Sequence, residues 1–313
     1  MIKRLLLSAS LLFTQNLFSQ DTTVFIDQQA VTLTEVVVRN QINVPAFMQR
    51  IKEDSSFYKA FKNLRILGYT AMNDIRMLDK KNKTIASLSS TSVQHIDNNC
   101  RWMDVLRQDH QGKFYDKAGG YNFYTAELYA NLFFAADTIC GETNIVGDPE
   151  FSIRGKSGLA KHKEQLKMLF FNPGKRIPGL PFIGNKVALF DEKVAALYDF
   201  EIDINTFKGE NCYVFSIIPR QDLSAGERKQ LVINEMTTWF DMQSWEIAAR
   251  HYDLSYSAGI YDFDVHIEVE MGKAGPYTVP VVMRYNGDWD IAFKPRERGI
   301  FTATLSNFIL PRE

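Results

Sequence analysis

The second half of the chain reads as a continuous series of period-two strands, and that rhythm restricts the fold more than any other feature. In Tyr198–Asn205 the even positions (Tyr198, Phe200, Ile202, Ile204) are apolar and the odd ones (Asp199, Glu201, Asp203, Asn205) are polar. Successive strand residues point to opposite faces, so such a strand is buried on one side and wet on the other. Further runs follow at Cys212–Ile218, Val232–Asp241, Ile247–Tyr256, Tyr261–Glu270, Val279–Tyr285 and Ile291–Lys294. Their connections are short and rich in turn formers: Thr206-Phe-Lys-Gly209, Asp241-Met-Gln-Ser244, Ser257-Ala-Gly259, Gly272-Lys-Ala-Gly-Pro276 and Asn286-Gly287. Asn286-Gly287 carries the strongest turn signal, because both central positions of a type I′ turn need positive φ. Neighbours joined by so few residues must be antiparallel, since parallel pairs need long crossovers. The chain therefore predicts an antiparallel meander.

The first half contributes most of the helices. Val31–Val38 reads as a short strand, and Pro45 opens a helical stretch in which Phe47, Met48 and Ile51 share one face. After the N-cap signal Asp54-Ser-Ser56, Phe57, Phe61 and Leu64 share another. Ile66–Leu78 and Thr84–Val93 form a predicted hairpin, and Arg101–Gln108 a further strand. Thr125–Ala136 and Ser157–Phe171 are predicted helices, the second stopped by Asn172-Pro-Gly174. The fold class is α+β, mainly β: one curved antiparallel sheet with a few helices.

Residues 1–20 read as a leader. Met1-Ile-Lys-Arg4 is a short basic segment, Leu5–Phe13 is apolar but too short to span a bilayer, and a cleavage point falls after Ser19 or Gln20. No cysteine lies beside it, so a lipid anchor is not expected. Removal of the leader gives an exported, soluble, periplasmic chain. Residues 21–43 are an N-terminal extension, and residues 44–313 form a single domain. Export permits disulfides, and of the three cysteines Cys100 and Cys140 are the candidate pair, each bordering a polar loop. Closing that loop would stabilise by about 4 kcal/mol on the loop-entropy account. Cys212 opens an apolar strand and reads as a buried thiol.

The overall balance of 36 basic and 37 acidic residues conceals an uneven spread. Arg154–Lys193 nets +6, Ala46–Lys81 nets +4, and the rest of the leaderless chain carries −13. The 154–193 window is a basic helix-plus-loop segment that also holds Met168-Leu-Phe-Phe171 and Arg176-Ile-Pro-Gly-Leu-Pro-Phe-Ile-Gly184. Cations beside apolar residues on an irregular backbone suit an anionic amphiphile, a membrane surface or an acidic envelope protein. Lys161, Lys163, Lys167, Lys175 and Arg176 are the candidate contacts to an anion or partner. A solvated helix followed by an inward-packing loop is the structural alternative. Nucleic acid is disfavoured by the export signal and the negative charge.

Catalytic signals are weak. Gly155-Lys-Ser157 resembles the end of a phosphate loop, but Glu150 stands where its first glycine belongs. Asp262, Asp264, His266, Glu268 and Glu270 share one face of one strand, a row that a metal or acid–base site could use. Their alternation with Phe263, Val265, Ile267 and Val269 is also what a half-exposed strand shows. No enzyme, cofactor or metal site is expected.

Three segments together, Glu210–Pro219, Leu231–Asp241 and Trp245–Arg250, followed by Tyr261-Asp-Phe-Asp264, resemble the periplasmic lipoprotein-carrier and outer-membrane lipoprotein-sorting superfamily. The opening helix and the Ile66–Val93 hairpin are similar to that family too. The resemblance implies an open half-barrel covered by helices, with an apolar concavity for acyl chains. Val31–Val38 also resembles a strand of domains that precede outer-membrane receptor plugs. The expected function is a periplasmic binding protein for a lipid, lipoprotein or other amphiphile. Phe170, Phe171, Leu180, Phe182 and Ile183 would form the lid and Trp239 part of the apolar face. The alternative is a non-catalytic interaction or structural component of a cell-envelope complex.

Overall fold

Hydrogen bonds between neighbouring strands join the two halves of the chain into one sheet. The computed structural model describes residues 21–26, 29–39, 42–135, 137–147, 158–180, 182–257, 261–291 and 294–311. The leader, Ser157 and the phosphate-loop-like Gly155 lie outside them. The described N-terminal part carries β1 (Thr22–Ile26), β2 (Gln29–Leu33), α1 (Glu35–Arg39), α2 (Val44–Glu53) and α3 (Ser56–Asn63). Then come β3 (Gly68–Leu78), β4 (Thr84–Asp97), β5 (Cys100–Gly112), α4 (Tyr124–Phe133), β6 (Ile139–Cys140) and α5 (Gly158–Phe171). After α6 (Glu192–Ala195) the meander runs through β7 (Tyr198–Phe207), β8 (Glu210–Pro219), the short α7 (Ala225–Arg228) and β9 (Ile233–Asp241). It ends with β10 (Ile247–Ser257), β11 (Tyr261–Ala274), β12 (Tyr277–Ile291) and β13 (Glu297–Ile309).

The strand order is β1-β2-β7-β8-β9-β10-β11-β12-β13-β3-β4-β5-β6. Every pairing is antiparallel except that of β2 with β7. The sheet does not close on itself, so the fold is an open half-barrel, α+β and mainly β. Among the described residues, no helix is long and apolar enough to cross a membrane.

Register aligns the inward side chains across the sheet. Val31 lies opposite Phe200, Phe200 opposite Ile217, Ile217 opposite Met236, and Met236 opposite Tyr252. The row continues through Ile267, Tyr285, Phe301, Ile75 and Leu88. Every one of these residues is buried. Each contributes about 1.5–3 kcal/mol by leaving water, before the cost of ordering the chain is set against it. The four longer helices seat on this inner face. Phe47 of α2 packs on Phe215, Phe57 of α3 on Tyr252, Tyr129 of α4 on Tyr285 and Phe301, and Phe170 of α5 on Tyr285.

Local signals place these helices. Asn43 caps α2 by accepting from the Ala46 amide at 3.1 Å, with Pro45 in the first turn. Asp54 accepts from the Ser56 amide at 3.1 Å where α3 begins. The α4 N-terminus is held by the sheet. The amides of Tyr124 and Thr125 and the Thr125 hydroxyl donate to the Glu297 carboxylate at 2.9, 2.8 and 2.7 Å. A carboxylate at that end also complements the helix dipole.

Three expectations need correction. Val31–Val38 is not one strand: the ladder stops at Leu33, and Glu35 begins α1. Residues 297–309, to which no element was assigned, form β13, which links β12 to β3. Asn286-Gly287 is not a turn. It sits inside β12, where Asn286 pairs with His266 on one side and Ile300 on the other. The two-residue positive-φ turns are Asn98-Asn99 (φ 46° and 57°) and Lys208-Gly209 (φ 51° and 92°).

Gly287 has a side-chain reason instead. A Cβ there would lie 2.0 Å from the Tyr285 hydroxyl, because the Tyr285 ring folds over Gly287 to accept a hydrogen bond from Trp289 Nε1. Gly287→Ala is therefore expected to displace Tyr285 from the buried row and to lower stability by about 1–3 kcal/mol. Urea denaturation checks this, and an unchanged midpoint contradicts it.

Candidate ligand site beneath the helices

The inner face and the helices α3, α4 and α5 enclose two adjoining spaces. The outer one, about 80 Å³, opens between α3, α5 and strands β3, β4, β5 and β13. The inner one, about 30 Å³, lies behind it and is lined mainly by Phe61, Tyr129, Phe133, Phe170, Phe171, Ile267, Val269 and Phe301. Between them stand three rings: Phe171 stacks on Phe61 at 4.2 Å and meets Phe133 edge-on at 5.5 Å. Phe133 in turn stacks on Phe301 at 4.8 Å. Sites for drug-sized ligands usually measure roughly 300–1,000 Å³. Aromatic side chains occupy the inner face here, and an acyl chain needs them displaced.

Two buried polar contacts fasten the covering segments to the sheet. The Tyr252 hydroxyl donates to the Phe170 carbonyl at the end of α5. Arg250 enters the inner face beside Tyr252 and is only 8% exposed. Its Nε donates to Thr238 Oγ1 at 2.9 Å, and its guanidinium lies 4.5 Å from the Phe57 ring centroid and 3.8 Å from the Asp54 carboxylate. Burial pulls the Arg250 pKa down, with Asp54 opposing it. A buried charge requires partners; these ones tie the α2–α3 junction to β9 and β10. The missed signal was parity: Arg250 shares the inward phase of Tyr252 and Leu254.

The rim of the outer space is polar. Gln94 is fully buried and donates to the Leu64 and Leu67 carbonyls, both at 2.7 Å, fixing the end of α3. Gln94 accepts from Arg101 at 2.9 Å, and Arg101 Nε donates to Glu142 at 2.6 Å. Arg65 lies 3.6 Å from the same carboxylate. Glu142 follows Cys140, which is disulfide-bonded to Cys100 across the β5–β6 pair. The covalent link thus holds Glu142 where both arginines meet it. Burial pushes the neighbouring Tyr69 hydroxyl up to about 12, with Arg101 pulling the other way.

The expected site residues disperse. Phe170 and Phe171 line the inner space, and Lys167 lines the outer one. Leu180 and Ile183 are buried in the loop after α5 but line neither space. Phe182 is 58% exposed with φ at 66° and lines neither space. Trp239 is corrected as well. It stands on the opposite face of β9 from Met236 and Phe240, between Phe207 and His251.

Nor do the basic residues form one patch. Lys161 reaches toward Gly179, the side chain of Lys163 lies outside the described residues, and Arg176 donates to Asn185 at 3.0 Å. Lys175 turns inward, donating to the Lys52 carbonyl at 2.5 Å, and burial lowers its pKa despite Asp54 nearby. Cys212 is a buried free thiol whose pKa burial raises.

The acidic row on β11 faces outward and is laced by ion pairs. His266 Nδ1 lies 2.5 Å from Asp253 and Nε2 3.3 Å from Glu268. Arg284 bonds Glu268 at 3.3 Å and Glu270 at 2.7 Å, and Lys208 also meets Glu270. This is a cross-strand ladder of charges.

No protein-family model matches the chain, and no curated protein matches it. Among solved structures, a domain assigned to outer membrane lipoprotein-sorting proteins from Vibrio parahaemolyticus is similar over 85% of this chain and 90% of its own. It is 6% identical, with a TM-score of 0.27. A DUF1329 family protein from Desulfovibrio piger is similar over 82% and 94%, at 9% identity and a TM-score of 0.25. A LolA superfamily protein from Nitrosomonas europaea is similar over 83% and 93%, at 9% identity and a TM-score of 0.24. Likenesses this distant carry no argument about activity, so the functional reading rests on this chain's own residues.

The outward ladder sets a pH expectation. Burial works to lower the His266 pKa from 6.5, but the bonds to Asp253 and Glu268 outweigh it, and the net shift is upward. A raised folded pKa means that the contribution is full below the unfolded value and is lost as pH rises through the folded one. An NMR titration of His266 should give a midpoint above 6.5 that falls in Asp253→Asn. A midpoint at or below that value contradicts the ladder.

Proposed function

We propose that the protein is a periplasmic binding protein for a lipid, lipoprotein or other amphiphile, whose apolar part enters the inner space between the sheet and α3–α5. The observation that carries this reading is the inner space itself: an aromatic and aliphatic chamber on the sheet face, adjoining a polar-rimmed opening. Leu132, Phe133, Phe171 and Met283 line both spaces, so a chain entering from the rim passes these side chains first. The leader-like sequence at residues 1–20 supports the exported address.

In the closed arrangement Phe171 and Phe61 fill the route. Chain entry requires α5 to swing away from the sheet, carrying the Phe171 ring with it. That swing is compatible with how α5 is held, since side-chain packing and the Tyr252 bond secure it rather than a strand ladder. No chemistry at the inner face calls for a nucleophile or general base; the lining is apolar and the role is one of binding.

A second reading has its own observation. From Trp102 onward β5 has no strand neighbour on its outer side among the described residues, and it exposes Val105 and Leu106. A free strand edge with apolar side chains suits an envelope partner that adds a strand.

Truncating the ring that separates the two spaces tests the first reading. Phe171→Ala should merge them and tighten binding of a decyl-chain amphiphile by about tenfold, the weight of one well-buried apolar group. Native mass spectrometry of the intact protein reads the bound fraction. Amphiphile that never binds, in wild type or variant, removes the reading and leaves the strand-edge alternative.

A further inference from the structure

We infer that the free edge of β5 pairs with the same edge of a second copy of this chain, antiparallel and centred on Gln108. The inference assigns one occupant to that edge, and it stands whether or not an amphiphile binds beneath the helices.

β6 covers only Cys100 and Arg101 of β5. The strand continues to Gly112, and every residue from Asp104 onward is exposed, so both faces of this stretch reach water. Val105 and Leu106 are among them, at 56% and 66% exposed. Backbone donors and acceptors along such an edge template another strand. The ladder to β4 is regular from Arg107 to Gly112, which keeps that part of the edge straight.

The order of the charges says which strand fits. Arg107 lies opposite Thr91 and Asp109 opposite Ser89, on the face away from buried Leu88 and Ala86. Among the described residues neither Arg107 nor Asp109 makes an ion pair. A cation and an anion two residues apart on one face become their own complement when the strand is reversed. In an antiparallel pair centred on Gln108, each Arg107 falls opposite the partner's Asp109, with opposing Cβ atoms about 5 Å apart. One symmetric contact thus makes two ion pairs from four groups that lack one in the single chain. Centring the pair on Arg107 or on Asp109 instead would set like charges against each other, which destabilises. The Gln108 register also sets Leu106 opposite the partner's His110 and Val105 opposite the partner's Gln111, withdrawing apolar surface from water. A contact in which the same patch serves both chains closes on itself, so it stops at two copies.

Sedimentation velocity on the intact protein at low salt should show a reversible monomer–dimer equilibrium that shifts to monomer as salt rises. Arg107→Asp and Asp109→Arg each set like charges opposite, and each should weaken self-association by at least about tenfold. An equimolar mixture of these two variants should regain the dimer, and so should one chain that carries both substitutions; circular dichroism confirms that all are folded. Gln108→Cys should cross-link two chains on mild oxidation, whereas Gln111→Cys, about 20 Å from its copy, should not. Wild type that stays monomeric at every concentration overturns the inference and leaves the edge to a foreign strand. A dimer that neither charge variant weakens overturns it too, and places the contact on another surface. Loss of the dimer in both variants without recovery in their mixture overturns the pairing of Arg107 with Asp109.

Discussion

The structure depends on one registered row of apolar side chains. From Val31 to Leu88 the ladder sets a buried residue opposite a buried residue on ten successive strands, although those strands come from three separate stretches of the chain. A one-residue slip in any ladder would turn that strand's apolar set to water, so burial fixes the register and register fixes the surface. Everything functional stands on this surface. Phe57, Tyr129, Phe133 and Phe170 of the covering helices pack directly on Tyr252, Tyr285 or Phe301 of the row.

The adjacent row breaks the pattern, and one break, Arg250, is where the α2–α3 junction is fastened. Thr238 and Arg250 lie opposite each other there, and across the sheet Asn73 faces Ala303. Arg250 binds Thr238 and meets Asp54, which joins two helices; Asn73 borders the outer space. Polar residues on an otherwise apolar face cost stability unless paired, and both are paired: Arg250 with Thr238 and Asp54, and Asn73 with Ser90 on the neighbouring strand. The same logic applies at the rim, where a disulfide, a buried glutamine and an ion-paired glutamate hold two arginines at a cleft.

Much of the fold was legible because a half-buried strand writes its period into the sequence. β7 to β11, the β3–β4 hairpin and the helices α2 to α5 follow from alternation, caps and stops. β12 was split at Asn286-Gly287 because that dipeptide normally reports a turn, whereas here the glycine makes room for the Tyr285 ring, a demand that only packing reveals. β13 was missed because its inward positions include Gly299 and Ala303, which contrast weakly with the threonines between them. Trp239 misled for a related reason: an aromatic on a sheet need not face the core, and this one joins Phe207 and His251 on the outside. The site was less legible than the fold. Arg65, Arg101 and Glu142 belong to segments far apart in sequence, and only the Cys100–Cys140 pairing hinted that two of those segments meet.

The central claim is that the helices cover a binding surface that opens, and the distance from α5 to the sheet reports it most directly. Spin labels at Lys161→Cys on α5 and Thr304→Cys on β13 give that distance by double electron–electron resonance. Addition of a saturating decyl-chain amphiphile should move the distribution outward by several ångström as α5 leaves the Phe61–Phe171 stack. A distribution unchanged while the amphiphile is bound would contradict the account and place the ligand elsewhere.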